Sequence, residues 1–236
     1  MRPYFKFFNP EENISIRYGN FPSENKHATI VVLNGRTEFI EKYLETFEIL
    51  NRKGFDVFSL DWRGQGLSTR SLANRYKGYV RSFDDYIRDL AVFMEEIVSP
   101  RAGKPLLIMG HSMGGHILLR YLHDYPGKID RAVVISPMVD INTFPVPKTM
   151  LSQFAHFMTR AGFEKAYAAG GDRLMEGTFE GNALTSNRKR FERTLKLVDG
   201  NPDLAMGGVT FGWLHAAFES IKILNQPGYG QTITEP

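Results

Sequence analysis

The stretch Leu106–Leu122, LLIMGHSMGGHILLRYL, admits very few folds. An apolar run, Leu106–Met109, passes straight into Gly110-His111-Ser112-Met113-Gly114, and an amphipathic helical pattern starts at about Met113. A buried strand that becomes a helix within one turn forces strained dihedrals on its central residue. Side chains flanking that residue would collide with backbone, so Gly110 and Gly114 are what the turn requires. The turn lifts the Ser112 hydroxyl clear of the sheet at the carboxyl end of a strand, where open α/β sheets bind ligands. It also sets the hydroxyl beside the unpaired N–H groups and positive dipole end of a helix. A bare G-x-S-x-G recurs by chance, and the strand before it with the helix after it supplies the context of a nucleophile elbow. The competing reading is a serine N-cap on a glycine-tolerant turn.

The rest of the N-terminal half repeats this alternation. Ile14–Tyr18 alternates as an early strand, and Ala28–Leu33 (ATIVVL) is a β-branched run of the kind buried on both faces. Glu38–Lys53 carries Phe39, Tyr43, Phe47 and Leu50 at helical spacing and stops at Gly54. Phe55–Leu60 is the next strand, followed by the glycine-rich loop Asp61–Ser68. A helix spans Phe83–Val98, and a further strand, Ala132–Ile135, ends at Pro137. Strand and helix in alternation predict a largely parallel sheet with right-handed crossovers. Beyond Pro137 the rhythm breaks into helical patches, Met150–Thr159, Arg188–Val198 and Trp213–Leu224, with no strand between them. The division expected is a core over 1–139, a helical insertion over 140–225, and a returning segment over 226–236.

Composition removes several classes of function. The 236 residues include no cysteine, which excludes disulfides, thiolate metal sites and cysteine nucleophiles. A net charge of +3 with 42% hydrophobic residues suits a globular domain and gives no footprint for nucleic acid. No His/Asp/Glu cluster has metal-ligand spacing, so neither a metal nor another cofactor is expected. The N-terminus lacks a signal-peptide apolar stretch and no segment is long enough to span a bilayer, so the expected location is cytoplasmic.

An oxyanion hole needs two donors. Met113, following the serine, offers its backbone N–H. The second should come from Leu33-Asn34-Gly35-Arg36, where Gly35 permits a sharp turn and the Arg36 N–H is available; read alone, Asn34-Gly35 is merely a turn. With these stretches in view, "LNGRTEFIEKY", "DWRGQGLS", "GHSMGGHILLRYL", "NALTSNRKRFER" and "GWLHAAFESI" resemble the lysophospholipase and monoacylglycerol lipase branch of the α/β-hydrolase superfamily, its bacterial members above all. The resemblance runs from about Tyr18 to the C-terminus. It implies an α/β-hydrolase fold with a helical cap, and hydrolysis of lipid esters through an acyl-enzyme. Ser112 takes the place of the nucleophile, and Arg36 and Met113 those of the oxyanion donors. The family often has His-Gly where this chain has Asn34-Gly35.

In such a fold the triad runs serine, acid, histidine, with the acid ending the sheet strand after the cap. The resemblance therefore places the acid and base beyond Pro236, with the C-terminal strands missing from this sequence and the chain as given inactive. Within the chain, Asp140 and His215 are the weak substitutes; His116, His123 and His156 are the remaining histidines after Ser112. Without the missing strands, Ala132–Ile135 is expected to form an apolar sheet edge.

Three further features carry paired readings. Asp61 and Arg63 resemble part of a phosphate loop but more simply tie down a tight turn. Asn187–Lys196 is either a contact for anionic headgroups or a solvated helix face with acid–base pairs. Met150, Leu151, Phe154, Phe157 and Met158 are either cap core or the lining of an acyl-chain tunnel, and the cap is also where peripheral membrane contact would occur. The alternatives to a lipid esterase are a non-catalytic binding protein on a truncated hydrolase fold, or a hydrolase of other small esters or peptides; oligomeric state is left open.

Overall fold

The computed structural model describes residues 2–169, 171, 178–182 and 184–236. In chain order the core elements are β1 (Tyr4–Glu11), β2 (Ile14–Phe21), β3 (Ala28–Leu33), a 3₁₀ turn Ile40–Tyr43 leading into α1 (Leu44–Arg52), β4 (Phe55–Leu60), α2 (Phe83–Val92) prolonged as a π-helical turn Phe93–Val98, β5 (Leu106–His111), α3 (Met113–Asp124) and β6 (Arg131–Ile135). The sheet order is β1-β2-β4-β3-β5-β6. Strands β4, β3, β5 and β6 are parallel neighbours, as the alternation predicts. The β1–β2 and β2–β4 pairs are antiparallel, so the sheet is mixed. The cause at β1–β2 is the two-residue connection, with Asn13 at φ 63°, which can only return a strand antiparallel.

Every residue of β3 is buried. Val31 and Leu33 face the larger core, which Leu90 and Phe93 on one helix and Ile117 and Leu118 on another complete. Ile30 and Val32 face the opposite side, where Phe47 of α1 packs. Alternate residues of one apolar run thus serve two layers, because a strand turns successive side chains to opposite faces. At the far border, β6 alternates exposed and half-buried residues, and Val133 and Ile135 stay 45% and 42% exposed.

After β6 come α4 (Lys148–Met158), a kinked π turn Thr159–Phe163, β7 (Tyr167–Ala169), α5 (Arg188–Gly200), β8 (Val209–Thr210) and α6 (Phe211–Leu224). This is a helical insertion, with one departure from expectation: Tyr167–Ala169 and Val209–Thr210 pair as a short two-stranded sheet. Segments of two and three residues, some forty apart, leave no periodicity to read. Helix α6 anchors the insertion, with Trp213 5.7 Å from Phe83 in ring centroids. Leu214 and Phe218 of α6 pack against Ala155 of α4.

The apolar stripe on α4 divides in an unforeseen way. Leu151 and Ala155 turn inward, but Met150, Phe154 and Phe157 point out and are half or more exposed. In the loop just before α4, Phe144 is 89% exposed and Val146 is exposed as well. Among the described residues the outward side of α4 meets only Phe211 of α6, whose ring stands edge-on to Phe154 at 5.5 Å between centroids. Arg190 and Arg193 of α5 both reach Glu45 of α1 at 2.8 Å, an acid–base cluster on a solvated face. No helix among the described residues is long and apolar enough to cross a membrane.

Candidate active site

Ser112 sits between β5 and α3 at φ 52°, ψ −117°, a conformation that side-chain-bearing residues avoid. Its main chain is held on three sides: the Ser112 N–H donates to Ile135 O at 3.0 Å, and its carbonyl accepts from His116 N and Met138 N, each at 3.0 Å. The side chain makes no capping hydrogen bond, so the N-cap reading does not hold. A Cβ on Gly110 would stand 2.7 Å from Gly114 O, and one on Gly114 would stand 2.5 Å from Asn34 O and 2.6 Å from Leu33 O. All three are backbone atoms that cannot swing aside. The two glycines therefore let α3 lie directly against the ends of β5 and β3.

The loop after β3 approaches the serine just as closely, since a Cβ on Gly35 would lie 3.2 Å from Ser112 Cβ. Its peptides are tethered one by one. The Gly35 N–H donates to Glu38 Oε2 at 2.6 Å, and the Thr37 N–H to Gln65 Oε1 at 2.6 Å, with Thr37 at φ 62°. Between them, the Arg36 N–H has no acceptor among the described residues, and neither has the Met113 N–H. An oxyanion site needs two amide hydrogens left free in this way near the hydroxyl. Asn34, buried, donates from Nδ2 to Leu60 O at 2.9 Å, while its carbonyl accepts from Trp62 Nε1 at 2.9 Å.

Glu38, at the head of the stretch whose spacing predicts a helix, is the hub of this loop. Besides the Gly35 N–H, its Oε2 accepts the Tyr43 hydroxyl at 2.6 Å and lies 3.1 Å from His111 Nδ1, while Oε1 accepts Lys42 Nζ at 2.6 Å. The Tyr43 hydroxyl also lies 3.2 Å from the same His111 nitrogen. Burial works to raise the Glu38 pKa, but the bonds from His111, Lys42 and Tyr43 outweigh it and hold the carboxyl at about 2. The carboxylate thus locks the loop after β3 to the residue preceding the serine. Asp61 and Arg63 do tie down their turn. Asp61 accepts from Ile40 N and Leu67 N, each at 3.0 Å, and Arg63 grips Asp89 with two donors.

The weak substitutes for an acid and base are not brought to the serine. Asp140 lies exposed and pairs with Lys148 Nζ at 2.7 Å. His215 stands edge-on to His156 at 4.9 Å between centroids, within the insertion, and its buried Nδ1 has no partner among the described residues. His116 points away from the hydroxyl: Nδ1 lies 2.8 Å from Met138 O and Nε2 2.7 Å from Ser220 Oγ. Burial, with a smaller push from Arg120, brings its pKa down to about 4. His123 stacks on Tyr229, 3.8 Å apart in centroids.

Comparison with known proteins gives one consistent result. The family model described as "Hydrolase_4: Serine aminopeptidase, S33" matches residues 24–229. Lysophospholipase L2 of Escherichia coli K12 is 34% identical over 208 residues, which is 88% of this chain and 61% of the relative. The probable lysophospholipase L2 of Haemophilus influenzae is 28% identical over 230 residues, covering 94% of this chain and 72% of the relative. The chain therefore spans less than two thirds of the length of the Escherichia coli relative. Among solved structures, a soluble variant of monoglyceride lipase from Saccharomyces cerevisiae superposes with a TM-score of 0.73 at 18% identity, over 100% of this chain and 74% of that one. That likeness is one of fold: a mixed central sheet flanked by helices, with a helical cap.

Proposed function

This chain belongs to the serine aminopeptidase S33 family, within the α/β-hydrolase superfamily, and on that premise we propose that it is the larger part of a serine hydrolase cleaving carboxylic esters of lipids. In this reading Ser112 Oγ attacks the ester carbonyl carbon and passes its proton to a base. The N–H groups of Arg36 and Met113 hold the resulting oxyanion. Collapse breaks the bond to the alcohol, which leaves with that proton, and water then releases the fatty acid from the acyl-serine. Each oriented donor is worth about 3 kcal/mol of barrier. The observation that carries the reading is the strained Ser112 with two unclaimed amide hydrogens beside it.

We place the base and its acid in sequence outside these 236 residues. Two things favour this: no described histidine or carboxylate bonds the Ser112 hydroxyl, and the Escherichia coli relative is longer. The names of the relatives, with the exposed side chains of Phe144, Val146, Met150, Phe154 and Phe157, favour a long-chain lipid ester met at a lipid surface. The test is labelling of the natural gene product with a fluorophosphonate probe. Labelling lost in Ser112→Ala supports the assignment; no labelling of the parent, or labelling that survives the substitution, refutes it.

A further inference from the structure

Arg36 is the residue whose N–H serves as an oxyanion donor in the reading above, and its side chain reaches into the insertion. Nη2 donates to Gly207 O at 2.6 Å, and the guanidinium carbon lies 5.3 Å from the centroid of the Trp213 ring. Gly207 belongs to the strap that feeds β8 and α6. That strap is stitched to the loop before α2: Gly207 N donates to Tyr76 O at 2.8 Å, Gly78 N to Gly208 O at 2.9 Å, and Thr210 N to Gly78 O at 3.0 Å. The guanidinium fills the seam closely enough that a Cβ on Gly78 would lie 3.0 Å from Nη2. Its buried Nε has no hydrogen-bond partner among the described residues, and burial draws its pKa down to about 10. A cation held in this way is poor material for stability alone.

The loop after β3 thus has three handles. Glu38 holds the peptide before the free N–H and Gln65 holds the one after it; both belong to the core. The third handle, the Arg36 side chain, belongs to the insertion. We propose that Arg36 is a positioning residue whose guanidinium, seated on Gly207 and Trp213, makes the aim of its own N–H at Ser112 depend on how the insertion is docked. A shift of the strap that carries Gly207 pulls the donor, while the backbone N–H itself survives any substitution at the position. Misalignment of a reacting group by about 1 Å costs on the order of a hundredfold in rate, so partial loss of aim is measurable.

The inference rests on Ser112 being the nucleophile, and the experiment keeps the two apart. The natural gene product is compared with Ser112→Ala, Arg36→Met, Arg36→Lys and Trp213→Leu on p-nitrophenyl butyrate, with folding checked by circular dichroism. The expected result for Arg36→Met is kcat lowered at least about tenfold with KM nearly unchanged, and partial recovery in millimolar ethylguanidinium. Arg36→Lys keeps the charge but not the planar fork and falls between; Trp213→Leu lowers kcat in the same direction. Arg36→Met folded with kcat within twofold of the parent, or a loss lying wholly in KM, overturns the proposal. Should Arg36→Met fail to fold, Arg36→Lys and Trp213→Leu are read by the same criterion. Full activity in Ser112→Ala, or an inactive parent, removes the functional reading itself.

Discussion

Gly114→Ala tests the elbow through a single methyl group. The added Cβ would begin 2.5 Å from Asn34 O and 2.6 Å from Leu33 O, and ordinary contact lies near 3.4 Å. Helix α3 and the end of β3 must therefore part by about 0.9 Å, the difference between 3.4 and 2.5. The displacement cannot stay local. Leu33 is registered against Gly110 across the sheet, and the Asn34 carbonyl holds Trp62 Nε1. Arg36 follows two residues later, so the gap between its N–H and that of Met113 opens with the strand. Overpacking of this kind costs about 1–3 kcal/mol, and in a domain of this size each kcal/mol lowers Tm by roughly 2–4 °C. The expected fall is therefore about 2–12 °C by calorimetry, with fluorophosphonate labelling slowed on the order of a hundredfold. Gly200→Ala, at the end of α5 where a Cβ meets nothing within 4 Å, is the control: it should lower neither and raise Tm slightly if anything. A Gly114→Ala protein that melts and labels like its parent refutes the close-approach argument.

Three more perturbations have defined outcomes. Glu38→Gln removes the carboxylate that gathers Gly35, Lys42, Tyr43 and His111 and should cost about 2–4 kcal/mol at neutral pH. Because the folded pKa lies below that of a free carboxyl, this stability is present above pH 4.5 and fades as pH falls toward 2, so urea titrations of parent and variant should converge in acid. His116 has the opposite charge type with the same outcome. Between pH 6.5 and about 4 the unfolded chain takes up a proton that the buried ring refuses. Stability should thus fall on acidification by up to roughly 3 kcal/mol, and His116→Gln should flatten that slope in the same titrations. Met150→Ser with Phe157→Ser should weaken sedimentation with phosphatidylglycerol vesicles several-fold without lowering Tm, whereas unaltered sedimentation counts against a lipid-facing role.

How much of this could be read beforehand follows the range of the interactions. Ala28–Leu33, Phe55–Leu60 and the turn at Ser112 were legible because their causes are local: β-branched runs, and glycines on either side of a serine. The N-terminal strand β1 was not, since apolar Phe5 and Phe7 stand exposed while the core-facing side holds Lys6 between Tyr4 and the buried Phe8, so hydrophobicity does not alternate with burial. Glu38 was invisible for a different reason. Its hydrogen-bond partner His111 is 73 residues away, and a glutamate heading an amphipathic stretch looks like the first turn of a helix. The regular helix begins only at Leu44, because Glu38 is drawn back into the loop. The lone usable signal was an acid three residues after Gly35, within reach of its N–H. The stripe on α4 misled because periodicity reveals an apolar face without saying whether anything covers it.

Among the described residues, strand β6 has one neighbour along its length, and on the other side only the amide of Ala132 is met, by Pro236 O at 3.0 Å. Yet Ile135, at its end, is what receives the amide hydrogen of Ser112. The turn at Ser112 is therefore braced against the border of the sheet rather than its middle, and borders fray first. Deuterium exchange at the Ser112 amide should then report how firmly that border is held, and any strand laid along β6 would slow it, stiffening the serine from a distance without touching it.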